Sequence, residues 1–149
     1  MKDSTTEVAR LCQHNAAPVV VFDGDCVLCS RFFRFVLHRD RAQRFRFVIA
    51  QSPLGQALYD ELGLPRDDFE TNLVFARGRL FTHADAFAAA MREIGWPWRL
   101  CAVILWMRRW PKTPLYLTIA RNRYRLFGRH DSCLVPDAAL RARFLEGGY

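Results

Sequence analysis

Before Gly95 the apolar and polar positions fall into seven stretches with readable periods. Residues 18 to 23 (PVVVFD) are β-branched and apolar without alternation, the pattern of a short strand buried on both faces, and Gly24 breaks it. After Cys26, apolar residues recur at Cys29, Phe32, Phe33 and Val36 while Arg31, Arg34 and His38 fall elsewhere, which predicts a helix with Asp25 as its N-cap. Residues 45 to 49 (FRFVI) alternate and then run apolar, giving a second strand. Ser52-Pro53 opens a second helix that Gly63 and Pro65 close. Leu73-Val74-Phe75 and Leu80-Phe81 flank Arg77-Gly78, which reads as a tight hairpin with glycine supplying positive φ. Thr82 then starts a helix with Asp85 as capping-box partner and an apolar stripe of Phe87, Ala90, Met91 and Ile94. Beyond Gly95 the pattern is helical over roughly Pro97 to Arg109 and Thr113 to Leu126, Gly128 ends the second segment, and HDSCLVPD reads as a loop.

The order strand, helix, strand, helix, strand, strand, helix predicts an α/β chain of thioredoxin-like type (βαβαββα). Two parallel strands are joined by a right-handed crossover and followed by an antiparallel hairpin, so that helices cover both faces of a mixed four-stranded sheet. A helical C-terminal extension starts at about residue 96. Residues 1–17 (MKDSTTEVARLCQHNAA) form a polar leader, expected to be flexible, and residues 18–149 a single domain. The leader lacks the apolar stretch of a secretory signal, which sets a cytoplasmic location as the expectation.

Composition agrees with one globular domain: 149 residues, 51% apolar and 25% charged, are enough for a core that needs no disulfide to fold. Twenty-two Lys and Arg against 15 Asp and Glu leave a net charge of +7. Apart from Lys2 and Lys112 the basic residues are arginines, seven of them clustered in the stretch from Arg99 to Arg129. Such a cluster serves a solvated helix face, a phosphate or an anionic membrane surface. The apolar run Leu100 to Met107 is too short to span a bilayer. With Trp96, Trp98, Trp106 and Trp110 around it and Arg108-Arg109 at its end, it suits either a membrane interface or a buried core helix. The interleaved Arg121-Asn-Arg-Tyr-Arg-Leu-Phe is accounted for by a helix with one aromatic and aliphatic face, so no nucleic-acid partner is expected.

Five cysteines, Cys12, Cys26, Cys29, Cys101 and Cys133, are an odd set in a chain without an export signal, which argues against a disulfide framework and for redox or metal chemistry. Cys26-Val-Leu-Cys29 begins a helix. There the unpaired N–H groups stabilise a thiolate, and a spacing of three puts both sulfurs on one face. Cys26 is thus expected as the exposed attacking thiolate and Cys29 as the buried resolving thiol. Asp23 is either the polar end of its strand or a proton acceptor for Cys29. Cys12 lies in the leader, Cys101 reads as a small core residue, and His14, His38 and His83 have no partner at useful spacing.

Two other chemistries share these residues. An apolar strand ending in Asp23-Gly-Asp25 resembles the nucleophile loop of the haloacid-dehalogenase-like phosphatases, with Asp23 as nucleophile. Such an enzyme also needs magnesium-binding carboxylates and a phosphate-binding lysine or arginine, yet Asp67-Asp68 follows no apolar strand and no lysine stands at a strand end. Cys26, Cys29, His130 and Cys133 have, alternatively, the ligand types of a tetrahedral zinc site without catalysis.

The chain resembles the DCC family of thiol-disulfide oxidoreductases, named for an Asp-Cys-Cys signature that reads here Asp23-x-x-Cys26-x-x-Cys29. The resemblance runs from Val19 to Pro136. It takes in FRFVIAQSPLG, Asp85-Ala86, YLTIARNRYRLFG (Tyr116 to Gly128) and Cys133-Leu-Val-Pro136. It implies a redox pair Cys26 and Cys29, a signature acid Asp23, a thiol or disulfide substrate, and neither metal nor dissociable cofactor. Cys133 matches a recurring family position, as a third thiol near the site or as a structural contact. Thioredoxin-like folds usually carry a cis-proline before the hairpin, where this chain has Thr71-Asn72.

Overall fold

The computed structural model describes residues 7–14, 16–66, 69, 71–107, 109–129 and 136–149. In chain order the elements are α1 (Glu7–His14), β1 (Val19–Phe22), α2 (Val27–Arg39), β2 (Arg46–Ile49), α3 (Pro53–Glu61), β3 (Leu73–Ala76), β4 (Arg79–Thr82) and α4 (His83–Ile94). A 3₁₀ segment (Trp98–Trp106), α5 (Arg109–Phe127) and α6 (Ala138–Arg141) follow. The four strands form one sheet in the order β2-β1-β3-β4. β1 and β2 run parallel with Val19 opposite Arg46, whereas β3 is antiparallel to both β1 and β4. This is the thioredoxin-like arrangement that the element order predicts.

β1 is buried along its whole length because both faces of the sheet are covered. Its alternation sorts the core into two layers. Val20 and Phe22 pack with Phe33 of α2 and Met91 of α4, while Val19 and Val21 pack with Leu11 of α1 and with Leu58 and Tyr59 of α3. In the hairpin, Arg77 and Gly78 both take positive φ (51° and 73°), the backbone that a two-residue connection between twisted strands requires. After α6 the chain returns to the free edge of β2: the Phe47 N–H donates to Arg143 O at 3.0 Å, and the Leu145 N–H to Phe47 O at 3.1 Å.

Several expectations are corrected. Part of the leader is ordered: the backbone N–H groups of Glu7 and Val8 donate to the Glu61 carboxylate at 2.8 and 2.9 Å, and Leu11 is buried. A carboxylate at the positive end of a helix is the reason this short helix is held. Thr82 precedes α4 without a side-chain cap, and Asp85 instead accepts from Lys112 Nζ at 2.5 Å. The predicted helix over Pro97 to Arg109 is a 3₁₀ segment with no fully buried residue. Its apolar run has no polar stripe to orient it: Trp98 and Cys101 meet the core, whereas Trp96, Leu100, Val103 and Trp106 face outward, Trp106 at 90% exposure. α5 starts at Arg109 rather than Thr113, with Pro114 inside it. Among the described residues no helix is long and apolar enough to cross a membrane.

Candidate active site

β1 ends at Phe22, and four residues later the chain reaches Cys26, the N-cap of α2. The Cys26 backbone is extended (φ −82°, ψ 124°), its carbonyl accepts from the Ser30 N–H at 2.9 Å, and its Sγ accepts from the Cys29 N–H at 3.4 Å. A thiol therefore occupies the place where Ser, Thr or Asp usually caps a helix. Asp25, expected as the cap, stands one residue too early and instead donates its N–H to Asp23 Oδ1 at 2.9 Å.

Cys26 and Cys29 are both free thiols. The hydrogen bond from the Cys29 side chain pulls the Cys26 pKa down from 9.0 to about 6 despite burial, helped by the Cys29 N–H and the Arg123 charge and opposed by Asp23. Cys29 is pushed strongly upward, first because it gives that hydrogen bond to Cys26 and then by burial. The pair is arranged as a thiolate at Cys26 and a thiol at Cys29. Exposure differs from expectation: Cys26 is 0% exposed and Cys29 5%. An isolated antiparallel bridge between Cys26 and Arg129 brings the chain just after α5 against the dithiol loop, so both cysteines are buried.

Beneath the loop, Asp23 is completely buried and fully engaged. Its Oδ1 accepts from the Asp25 N–H and from Gln51 Nε2 at 2.6 Å, and its Oδ2 accepts from Arg123 Nη2 at 3.1 Å and from the Tyr124 hydroxyl. Gln51 Oε1 in turn accepts from the Gly24 N–H at 3.0 Å. Arg123 also donates to Ala120 O at 2.9 Å and Phe69 O at 3.1 Å, and its guanidinium lies over the Tyr124 ring, 4.5 Å from the centroid. Burial, then the bond to Asp23, raises the Tyr124 hydroxyl to about 12, which keeps it a donor at neutral pH. A carboxylate with four donors on it has no open face for a phosphoryl group, and among the described residues no hydrogen bond joins it to either thiol.

A cavity of about 270 Å³ opens beside the dithiol between α2, α4 and α5. Cys29 lines it and Cys26 does not. Phe32 and Phe87 form one wall with ring centroids 5.7 Å apart, Ile119 and Ala120 of α5 another, and Asn72 stands where thioredoxin-like folds usually have the cis-proline strand entry. His83 sits at this cavity in the left-handed region (φ 57°), its Nδ1 3.0 Å from Thr82 Oγ1 and its ring against that of Tyr116 at 5.4 Å.

The family model described as DCC1-like thiol-disulfide oxidoreductase matches residues 20–129, a span that includes all but the first residue of β1, the dithiol, both cavity walls and Arg123. The chain belongs to this family. It is 33% identical to the uncharacterized protein YuxK of Bacillus subtilis over 127 residues, 85% of this chain and 93% of that protein. It is 31% identical over 132 residues to a chloroplastic DCC family protein of Arabidopsis thaliana, 88% of this chain and 77% of that one. No solved structure matches it.

In this DCC1-like chain the signature residues Asp23, Cys26 and Cys29 meet in one place, but the donors that bind Asp23 were not singled out in the sequence. Arg123 and Tyr124 lie in the arginine-rich family segment Tyr116 to Gly128, where spacing does not tell which arginine turns inward. Cys12 and Cys101 are half-buried and away from the dithiol cavity. His130 and Cys133 lie outside the described residues, and with them the third thiol and half of the zinc set. Among the described residues no three His, Cys, Asp or Glu side chains converge as metal ligands.

Proposed function

We propose that this DCC1-like protein is a thiol-disulfide oxidoreductase that exchanges a Cys26–Cys29 disulfide with a thiol or disulfide substrate and uses no dissociable cofactor. The observation that supports this is the geometry of the pair: Cys26 caps α2 with its Sγ accepting from the Cys29 N–H at 3.4 Å, and a hydrogen bond from the Cys29 side chain, the shared proton of this reading, pulls the Cys26 pKa down to about 6. In the oxidising direction the pair loses two electrons and closes a disulfide as the substrate disulfide becomes two thiols. Asp23 serves as a positioning residue. This role is supported by its oxygens accepting from Asp25, Gln51, Arg123 and Tyr124.

The test is a glutathione redox titration of the full chain with thiol labelling and peptide mapping. A reversible Cys26–Cys29 bond is the expected result. Bound zinc in elemental analysis with no such bond at any potential overturns the reading in favour of a metal site.

Thiolate absorbance at Cys26 is expected to rise with a midpoint near pH 6, and Cys29→Ala, which removes the largest cause of the shift, moves that midpoint upward. An unchanged midpoint in the variant contradicts the shared proton. The sign carries over to stability. With a folded pKa below the ordinary 9.0, the contribution of Cys26 is complete above about pH 9 and is lost as pH falls through about 6. The raised Cys29 works the other way above pH 9, where the unfolded chain ionises both thiols.

A second reading concerns the exposed 3₁₀ face. We propose that it rests on an anionic membrane surface. Trp96 and Trp106 are exposed with Leu100 and Val103, and a groove of about 550 Å³ places Arg77, Arg79 and Arg92, with Asp85, beside Trp106; Arg77 and Arg92 pair with Glu93, so Arg79 and the net charge of +7 carry the attraction. Flotation with phosphatidylserine-containing vesicles is expected to carry the protein, and Trp106→Ser to weaken it. Equal flotation with neutral phosphatidylcholine vesicles, or none with either, refutes the proposal.

A further inference from the structure

The second half of a thiol–disulfide exchange needs a proton acceptor. Once Cys26 is joined to a substrate sulfur, Cys29 must ionise before it can close the ring. The hydrogen bond to Cys26, the first cause that raises Cys29, is then gone, but burial and the Asp23 charge still hold its proton. Asp23 accepts from Asp25, Gln51, Arg123 and Tyr124, and among the described residues no hydrogen bond joins it to Cys29. Among the described residues, the titratable side chains on the cavity wall are Cys29, His83, Tyr116 and Arg123. Burial first, with the Cys29 charge among the further causes, raises the Tyr116 hydroxyl and keeps it protonated, and Arg123 is a cation paired with Asp23. An imidazole is the side chain that ordinarily exchanges a proton near neutral pH, which leaves His83.

His83 is also placed for the task. Its ring packs edge-on against Tyr116 at 5.4 Å, and Tyr116 lies within reach of the Cys29 charge. Its N–H donates to the buried Thr71 Oγ1 at 3.1 Å and its Nδ1 is 3.0 Å from Thr82 Oγ1, contacts that hold the residue at its φ of 57°. On its other side Lys112 is paired with Asp85, so a proton gained by the ring meets a cation that is already compensated.

We propose that His83 is the general base that takes the Cys29 proton in the ring-closing step, and the acid that returns it in the reverse direction. The proposal rests on the thiol–disulfide exchange reading above. Cys26–S⁻ attacks a disulfide RSSR, forming Cys26–S–S–R as the RS–SR bond breaks and RS⁻ leaves. The Cys29 proton passes across the cavity to the His83 imidazole, directly or through one water. Cys29–S⁻ attacks the Cys26 sulfur, the Cys26–Cys29 bond forms and the second RS⁻ departs. The imidazolium loses its proton to solvent, and two electrons have passed from the dithiol to RSSR. In reverse, RS⁻ attacks Cys26, and the expelled Cys29 thiolate takes its proton from the imidazolium.

The experiment mixes the reduced full chain with a stoichiometric amount of dithiobis(nitrobenzoate), whose leaving thiolate is too weak a base to take the Cys29 proton itself. Acid quenching and peptide mapping follow two rates, formation of the Cys26 adduct and its conversion to the Cys26–Cys29 bond. In His83→Gly, which accepts the left-handed backbone, the ratio of the second rate to the first is expected to fall at least about tenfold. Added imidazole is expected to restore that ratio without a comparable effect on the wild type. His83→Asn, which also tolerates this backbone, is expected to lower the ratio as well, and keeps the test open if the glycine variant does not fold. An unchanged ratio in either folded variant overturns the proposal, as does a lowered ratio in His83→Gly that imidazole leaves lowered. If the wild-type adduct converts to the Cys26–Cys29 bond and the variants keep pace, this inference alone fails; a wild-type adduct that never converts removes the exchange reading with it.

Discussion

Arg123→Ala is expected to cost about 3–5 kcal/mol of stability, the penalty for leaving a buried charge without its partner. Asp23 has no exposure to water, and among the described residues Arg123 is the guanidinium bonded to it. The remaining donors, two N–H groups and a hydroxyl, are neutral and do not replace the charge. The substitution also strips hydrogen bonds from Ala120 O and Phe69 O, which tie α5 to the loop before β3. Chemical denaturation reads the effect as a lower midpoint with little change in slope. The pair Asp23→Asn with Arg123→Met removes both charges and is expected to lose less than Arg123→Ala alone, a non-additivity that marks direct coupling. A loss under about 1 kcal/mol for Arg123→Ala would show that the pair is not the anchor of the site. Because Arg123 also lowers the Cys26 pKa, the same variant is expected to shift thiolate formation to higher pH.

Phe33→Ala is expected to cost about 3–5 kcal/mol for a different reason, the cavity left by a large buried ring. Phe33 is 1% exposed, stacks on Phe22 with centroids 4.5 Å apart, and meets Phe47 edge-on at 4.8 Å. These contacts join α2, which carries the dithiol, to β1 and β2. Thermal and denaturant unfolding measure the cost. Phe33→Leu, which refills most of the volume, is expected to lose markedly less. Equal losses would mean that ring geometry rather than volume holds the helix. In both variants the redox titration of the surviving folded protein separates damage to the scaffold from damage to the dithiol.

The sheet and its helices were legible in the chain because their signals are local. PVVVFD, FRFVI and the pair around Arg77-Gly78 carry strand periodicity and turn chemistry in a handful of residues, and each became a strand or hairpin of the sheet. The Leu100 to Met107 run misled because it is apolar all round. Only its packing on α4 leaves Trp98 facing inward and Trp106 outward. The leader misled for the opposite reason: the Glu61 carboxylate that holds α1 is more than fifty residues away, beyond any local pattern.

The active site divides along the same line. From the sequence alone come the dithiol and its place at a strand-to-helix junction, which depend on neighbours within a few positions, and the family, which rests on segments spread from Val19 to Pro136. Tertiary structure decided the rest. Asp23 meets Arg123 and Tyr124 across a hundred residues, the backbone of Arg129 bridges to Cys26, and three helices leave a cavity that reaches Cys29. Residue type and spacing report what a segment does by itself. How the dithiol is enclosed, and which charge neutralises a buried acid, depends on what the fold brings against it.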